Sequence, residues 1–228
     1  LDLAEQPTLL AIADPFSFPA THFLDLLNRE FPGVPIVGGM ASAADEAGHN
    51  RLLLDDELYA DGLVGLAFSG DVRIETAVSQ GCRPIGRRFV ITKGKGNIIA
   101  ELAGQPALKQ LQEVVASASE DDQDLMQQGV FVGKAISEQK ASFGRGDFLI
   151  LNLVGIDPSN GAIAVAGPVK TGITVQFHVR DADAADEDLR EILGPIARDT
   201  EHPAPAGALL ISCNGRGTNM WDHPGHDA

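Results

Sequence analysis

Thr8-Leu9-Leu10-Ala11-Ile12-Ala13-Asp14-Pro15 begins the stretch whose reading decides the fold. Its aliphatic run, closed by Asp-Pro, predicts a buried strand. Pro19 then starts a helix to about Phe31, with Phe23, Leu24, Leu27 and Phe31 on one face at helical spacing. Pro32-Gly33 stops the helix, and Val34-Pro35-Ile36-Val37 leads into a second strand that exits through Gly38-Gly39. A strand, a helix and a strand in succession point to an α/β (mixed α+β) fold, with strand-rich sheets covered by a few helices.

The pattern continues outward from this unit. Residues 51–54, 62–68, 72–79 and 87–92 read as a meander of strands, and Lys93-Gly94-Lys95-Gly96-Asn97 as a hairpin turn. A helix begins near Pro106, with Leu108, Leu111, Val115 and Ala118 on its buried face. Strands resume at 129–136, 148–156, 162–165 and 172–179. The clearest helix spans 182–197, with an apolar stripe of Ala185, Leu189, Ile192, Leu193 and Ile196. His202-Pro203-Ala204-Pro205 links it to a final strand, Ala208-Leu209-Leu210-Ile211-Ser212.

The halves echo each other, as pseudo-duplicated halves would. The segment 78–86 precedes the strand at 88–92 much as 165–172 precedes the strand at 175–180, and 9–14 parallels 209–214. On that pattern the second half stops short of a helix and a strand. The chain opens Leu1-Asp2-Leu3 with no signal peptide, which reads as a fragment of a longer protein.

Composition narrows the function. Asp and Glu number 32 against 17 Lys and Arg, a net charge of -15. That balance argues against nucleic acid and anionic membrane as partners, since both are bound by basic residues. The acids gather at Glu120-Asp121-Asp122-Gln123-Asp124, read as a loop, and from Asp181 to Glu191, read as the N-terminus and solvated face of a helix. No apolar run is long enough for a membrane helix. Cys82 and Cys213 stand far apart in unlike settings and read as reduced thiols of a cytoplasmic protein.

Candidate chemistry gathers at strand ends and glycine turns. Cys213-Asn214-Gly215-Arg216-Gly217 follows the last predicted strand, where α/β sheets tend to hold ligands. Arg83 follows Gly81-Cys82, Arg145 sits between Gly144 and Gly146, and Arg180 abuts Asp181 at a strand end. A guanidinium fork suits a ligand carboxylate, although in so acidic a chain each fork has an acid to pair with instead. His178 alternates with apolar neighbours, as a wall residue or a ligand contact would. Cys213 with His226 or His178 would make a nucleophile and base, with Asp227 to orient an imidazole. His223 and His226 with Asp222, Asp227 and His202 are weak zinc candidates, separated by a Pro-Gly turn and lacking a cysteine pair. Gly94-Lys95-Gly96-Asn97 lacks P-loop spacing, and no dinucleotide fingerprint, metalloprotease helix or nucleophile elbow occurs, so no cofactor is implied.

Four motifs occur together and in order: Ser79-Gln80-Gly81-Cys82-Arg83-Pro84-Ile85-Gly86, Phe143-Gly144-Arg145-Gly146-Asp147-Phe148, Val175-Gln176-Phe177-His178-Val179-Arg180-Asp181-Ala182 and Cys213-Asn214-Gly215-Arg216-Gly217. In this the chain resembles the FIST-domain proteins, a sensory family of bacterial signal transduction also found in F-box ubiquitin-ligase adaptors. The resemblance runs from about Pro7 to Asp227. It implies an N-terminal FIST portion over 1–96 and a C-terminal portion over 97–228, without the family's opening segment, closing helix and last strand. It further implies a non-enzymatic sensor of a small ligand such as an amino acid, which passes its state to a signalling protein.

The ligand-binding candidates are therefore Arg83, Arg145, His178, Arg180, Asp181, Cys213, Asn214, Arg216, His226 and Asp227. Arg216 and Arg83 are expected to hold a carboxylate, Asn214 a second polar group, and Asp181 an ammonium. The rival readings are a thiol-dependent hydrolase at Cys213 and a ligand-free interaction scaffold. The linking segment lacks a flexible run, so the two portions are expected to share one continuous sheet.

Overall fold

The aliphatic run before Asp14-Pro15 forms strand β1 (Thr8–Ala13) in a computed structural model that describes residues 7–140 and 142–227. Leu1-Asp2-Leu3 lies outside the described residues. Helix α1 (Ala20–Glu30) follows, then β2 (Ile36–Met40), β3 (Leu52–Leu54), β4 (Glu57–Tyr59) and β5 (Leu63–Phe68). β1 pairs with β2 in parallel, as a strand-helix-strand unit requires, and with β5 antiparallel. Gly38 serves the parallel pairing directly: a Cβ there would stand 1.7 Å from the Ala11 carbonyl oxygen. Of Phe23, Leu24, Leu27 and Phe31, expected on one buried helix face, only Leu27 is buried, while Phe31 lies just past the end of α1 and Phe23 packs edge-on against Phe18.

These elements and the residues from Pro205 onward make one compact unit; the other runs Ala77–Ala204. The second unit begins with the long β6 (Cys82–Lys95), followed by β7 (Ile98–Leu102), β8 (Gln105–Pro106), α2 (Ala107–Ser117) and α3 (Glu120–Gln128). It continues with β9 (Phe131–Ala135), β10 (Phe148–Asp157), β11 (Ala162–Val165), β12 (Thr174–Arg180) and α4 (Ala182–Arg198). The sheet order is β11-β10-β9-β12-β6-β7-β8, and β11 also pairs with β7, so the sheet closes on itself. Closure removes the free edges that an open antiparallel sheet leaves unpaired. Phe89, Ile91, Ile99, Leu102, Val132, Ile163, Val175, Phe177 and Val179 fill its core, with Leu111 and Val114 of α2 and Met126 of α3 packed against them. The two strands that echo each other in sequence, β6 and β12, lie side by side and antiparallel, with Val179 opposite Arg83 and Arg180 opposite Cys82.

The fold is a mixed α/β one with large antiparallel sheets. Several local expectations need correction. Residues 72–79 form no strand, because the alternation of Val72 and Ile74 favours extended backbone but a strand also needs an edge to pair with. Residues 208–212 likewise form no strand, and Leu209, Leu210 and Ile211 are exposed at 70%, 53% and 44%. Ile211 touches the strand β2 at Gly39, where an added Cβ would lie 3.1 Å from its Cγ2, yet the segment joins no sheet. The acidic run 120–124 is not a loop but the first turn of α3: the Ser119 side chain accepts the Asp122 N–H at 3.2 Å, and the acids sit where the helix dipole favours them. The stripe on α4 is only half covered, with Ala185 buried and Leu193 exposed. One continuous sheet is not what forms: β6 joins the strands that follow it, while β1, β2 and β5 make a separate three-stranded sheet.

Candidate functional site

Arg83 leaves β6 near the start of that strand and meets acids from two helices. Its Nε–H donates to Asp181 Oδ2 and its Nη2 to Asp122 Oδ1, each at 2.6 Å. Burial opposes the charge on this guanidinium, and the two carboxylates outweigh that opposition. Asp181 serves twice, since its other oxygen accepts the Ala184 N–H at 2.9 Å and so caps α4. Burial pushes the Asp181 carboxyl up, but the Ala184 N–H and Arg83 together hold it below the usual carboxylate range.

Arg145 approaches α4 further along. It donates to Glu187 at 2.8 Å and to Glu191 at 2.9 Å, with the buried Asp188 at 3.7 Å from its Nε. Glu187 and Glu191 stand one turn apart on the helix, the spacing that lets one guanidinium span both. Arg83, Arg145, Asp181, Asp183, Glu187 and Glu191 line an open groove of about 800 Å3 along α4. Both charge signs meet in it.

Other candidates fall elsewhere. Val175, Phe177 and Val179 belong to the core, so strand alternation sends His178 and Arg180 to the opposite face of β12. His178 is 3% exposed, packs edge-on against Phe148 at 5.3 Å, and places Nδ1 3.0 Å from the Gln176 carbonyl. Burial holds its imidazole below the usual value, which favours a neutral wall residue. Arg180 lies over the Phe131 ring at 5.1 Å, and its Nε is buried without a hydrogen-bond partner among the described residues.

Cys213, Asn214, Arg216, His226 and Asp227 form a separate cluster in the other unit. Arg216 forks onto Asp227 through Nε and Nη2, both at 2.5 Å, and lies over Trp221 at 5.0 Å. Hydrogen bonding from Arg216 holds the Asp227 carboxyl low. The His226 ring stacks on Trp221 at 4.0 Å. Cys213 is exposed, with its sulfur accepting the Gly215 N–H at 3.4 Å, and the Asn214 carbonyl accepts the Asn219 amide at 2.7 Å. Arg83 and Arg216 thus belong to different units, and carboxylates of their own units engage both. Among the described residues no group of His, Cys, Asp and Glu is placed to hold a metal ion.

Sequence reasoning missed Asp122 because its segment read as a loop; Ser119 followed by three acids is the helix-start signal that would have found it. It also passed over Gln80, whose side chain donates to the Phe148 carbonyl and accepts the Ile150 N–H, fixing β10 beside the segment leading into β6.

A model described as the FIST N domain matches residues 2–105, and one described as the FIST C domain matches residues 107–228. The chain belongs to the FIST family. FIST domains are sensory domains of signal transduction and are not known as catalysts. An uncharacterized protein of Mycobacterium tuberculosis is 43% identical over 219 residues, covering 96% of this chain and 57% of the relative. An uncharacterized protein of Mycobacterium bovis is 41% identical over 219 residues, again 96% of this chain and 56% of the relative. One from Methanocaldococcus jannaschii is 26% identical over 107 residues, 46% of this chain and 20% of the relative. The chain therefore spans little more than half the length of the mycobacterial relatives. No solved structure matches it. Among the described residues no helix is long and apolar enough to cross a membrane.

Proposed function

We propose that this FIST chain binds an amino acid or a similar small carboxylate in the groove along α4 and reports its occupancy to a signalling protein. The observation that carries this reading is the pairing of opposite charges in one groove. Arg83 and Arg145 offer forks for a carboxylate, and Asp181 and Asp183 offer acceptors for an ammonium. Membership of a sensory family supports it, and Cys82 and Cys213, neither in a disulfide among the described residues, accord with a cytoplasmic setting.

The test is a thermal-shift screen against amino acids, their amides and small dicarboxylates. At a hundred times its dissociation constant a ligand adds roughly 2.7 kcal/mol, enough to raise the melting temperature by several degrees. Arg83→Lys keeps the charge facing Asp122 and Asp181 but loses the fork, and is expected to weaken a hit at least about tenfold. A hit that survives Arg83→Lys but disappears with Arg216→Ala moves the site to the Arg216–Asp227 cluster. A flat screen sinks the carboxylate reading and leaves the interaction scaffold.

A further inference from the structure

We propose that Asp122 competes with the ligand carboxylate for Arg83, so that binding releases α3; this rests on the α4 groove being the ligand site. The Arg83 guanidinium already holds one carboxylate from each of two helices, at equal distances of 2.6 Å. The two are not equally anchored. Asp181 also caps α4 through the Ala184 N–H, and that bond persists whatever Arg83 does. The Asp122 carboxylate is tied to Arg83 through Oδ1 and belongs to a nine-residue helix in which only Met126 is buried. A helix that short is marginal in water without tertiary support.

A ligand carboxylate at Arg83 makes three negative groups around one positive charge. Like charges at that spacing repel, and the least anchored one yields. The site therefore contains an internal competitor, and the competitor belongs to a short helix with one buried residue. Leaving Arg83 frees the half-buried Asp122 beside the already exposed Glu120 and Asp121, and this freed acidic segment is what a signalling partner reads when the groove is filled.

Linkage makes the coupling reciprocal: if the ligand weakens α3, weakening the hold of α3 on Arg83 strengthens the ligand. Acetate serves as the probe, with chloride at matched ionic strength as its control. Binding is followed through the Arg83 Nε–H resonance, and helix release through hydrogen exchange of residues 120–128. Acetate is expected to shift that resonance and to speed α3 exchange about fivefold or more relative to chloride, with α4 amides unchanged. Asp122→Asn, without acetate, is expected to speed α3 exchange to a similar degree, and to bind acetate about fivefold tighter. An unmoved Arg83 resonance overturns the site assignment and this inference with it. A shifted resonance with unchanged α3 exchange, or an Asp122→Asn chain with wild-type exchange and affinity, overturns the inference alone.

Discussion

Gly133→Ala tests the packing of the β12 face opposite the core. A Cβ on Gly133 would stand 2.3 Å from His178 Cε1, 2.6 Å from His178 Nδ1 and 3.1 Å from Phe148 Cβ. Carbon atoms pack at about 3.5–4.0 Å, so the imidazole must retreat by more than about 1 Å. It has little room to do so, because the ring is buried against Phe148 and its Nδ1 is 3.0 Å from the Gln176 carbonyl. Overpacking costs roughly 1–3 kcal/mol and the displaced hydrogen bond about 1. Alanine returns about 0.4–1 kcal/mol by restricting the unfolded chain, which leaves a net loss near 2 kcal/mol. Circular dichroism during thermal and urea unfolding is expected to show a melting temperature lower by roughly 4–8 °C. His178→Ala in the Gly133→Ala background removes the clash, so the pair should be non-additive by about 1 kcal/mol or more. A loss below about 0.5 kcal/mol for Gly133→Ala, or strict additivity in the double variant, refutes this account of why residue 133 is glycine.

Three further expectations follow from the charges. Burial lowers the folded-state pKa of His178 below its ordinary value of 6.5, so the unfolded chain takes up the proton first. Its contribution is present above that pH and lost as pH falls below it; urea midpoints at pH 7.5 and 5.5 should converge in His178→Gln relative to the parent. Asp227 is depressed chiefly by its hydrogen bond from Arg216, so its contribution is present above the unfolded value near 3.8 and lost as pH falls through the lower folded value. Trp221 fluorescence should report that acid transition, and Asp227→Asn should abolish this component of it. Arg145→Ala should change stability by no more than about 1 kcal/mol, because Glu187 and Glu191 are 65% and 63% exposed; a larger loss in urea denaturation would give Asp188 a bigger share than its 3.7 Å separation suggests.

The strands of the closed sheet were legible where alternation and turn residues coincided. β11 matches its sequence reading at both ends, and β12 follows the alternation that sets Val175, Phe177 and Val179 against His178 and Arg180. The opening strand-helix-strand unit was legible for the same reason: Asp14-Pro15 and Pro32-Gly33 limit what the backbone between them can do. What failed depends on partners that local sequence does not specify. Leu209, Leu210 and Ile211 have the composition of a buried strand, but a strand forms only beside an edge with matching hydrogen-bond groups, and these residues remain exposed. The α3 segment failed in the opposite sense. Its acids read as a loop, yet Ser119 and the helix dipole make that composition suited to a first turn.

Site residues divide along the same line. Arginine in a glycine turn is chemically fit to hold a carboxylate, but in a chain of -15 net charge the first carboxylates it meets are its own. Arg216 and Arg145 illustrate this, each held by acids that sequence spacing could not assign to it. Arg83 differs in what it joins rather than in how strongly it is paired. Its two partners cap and tether separate helices, α4 through Asp181 and α3 through Asp122, while the guanidinium itself issues from strand β6. An exposed ion pair can be lost with little consequence beyond its own small energy. A guanidinium that holds two helix starts at once passes a change in its occupancy to the less anchored one, α3 through Asp122. That connectivity, visible only when the β6–β12 register brings residues 83 and 181 together, makes Arg83 a sensor element as well as a stabilising contact under the proposed reading.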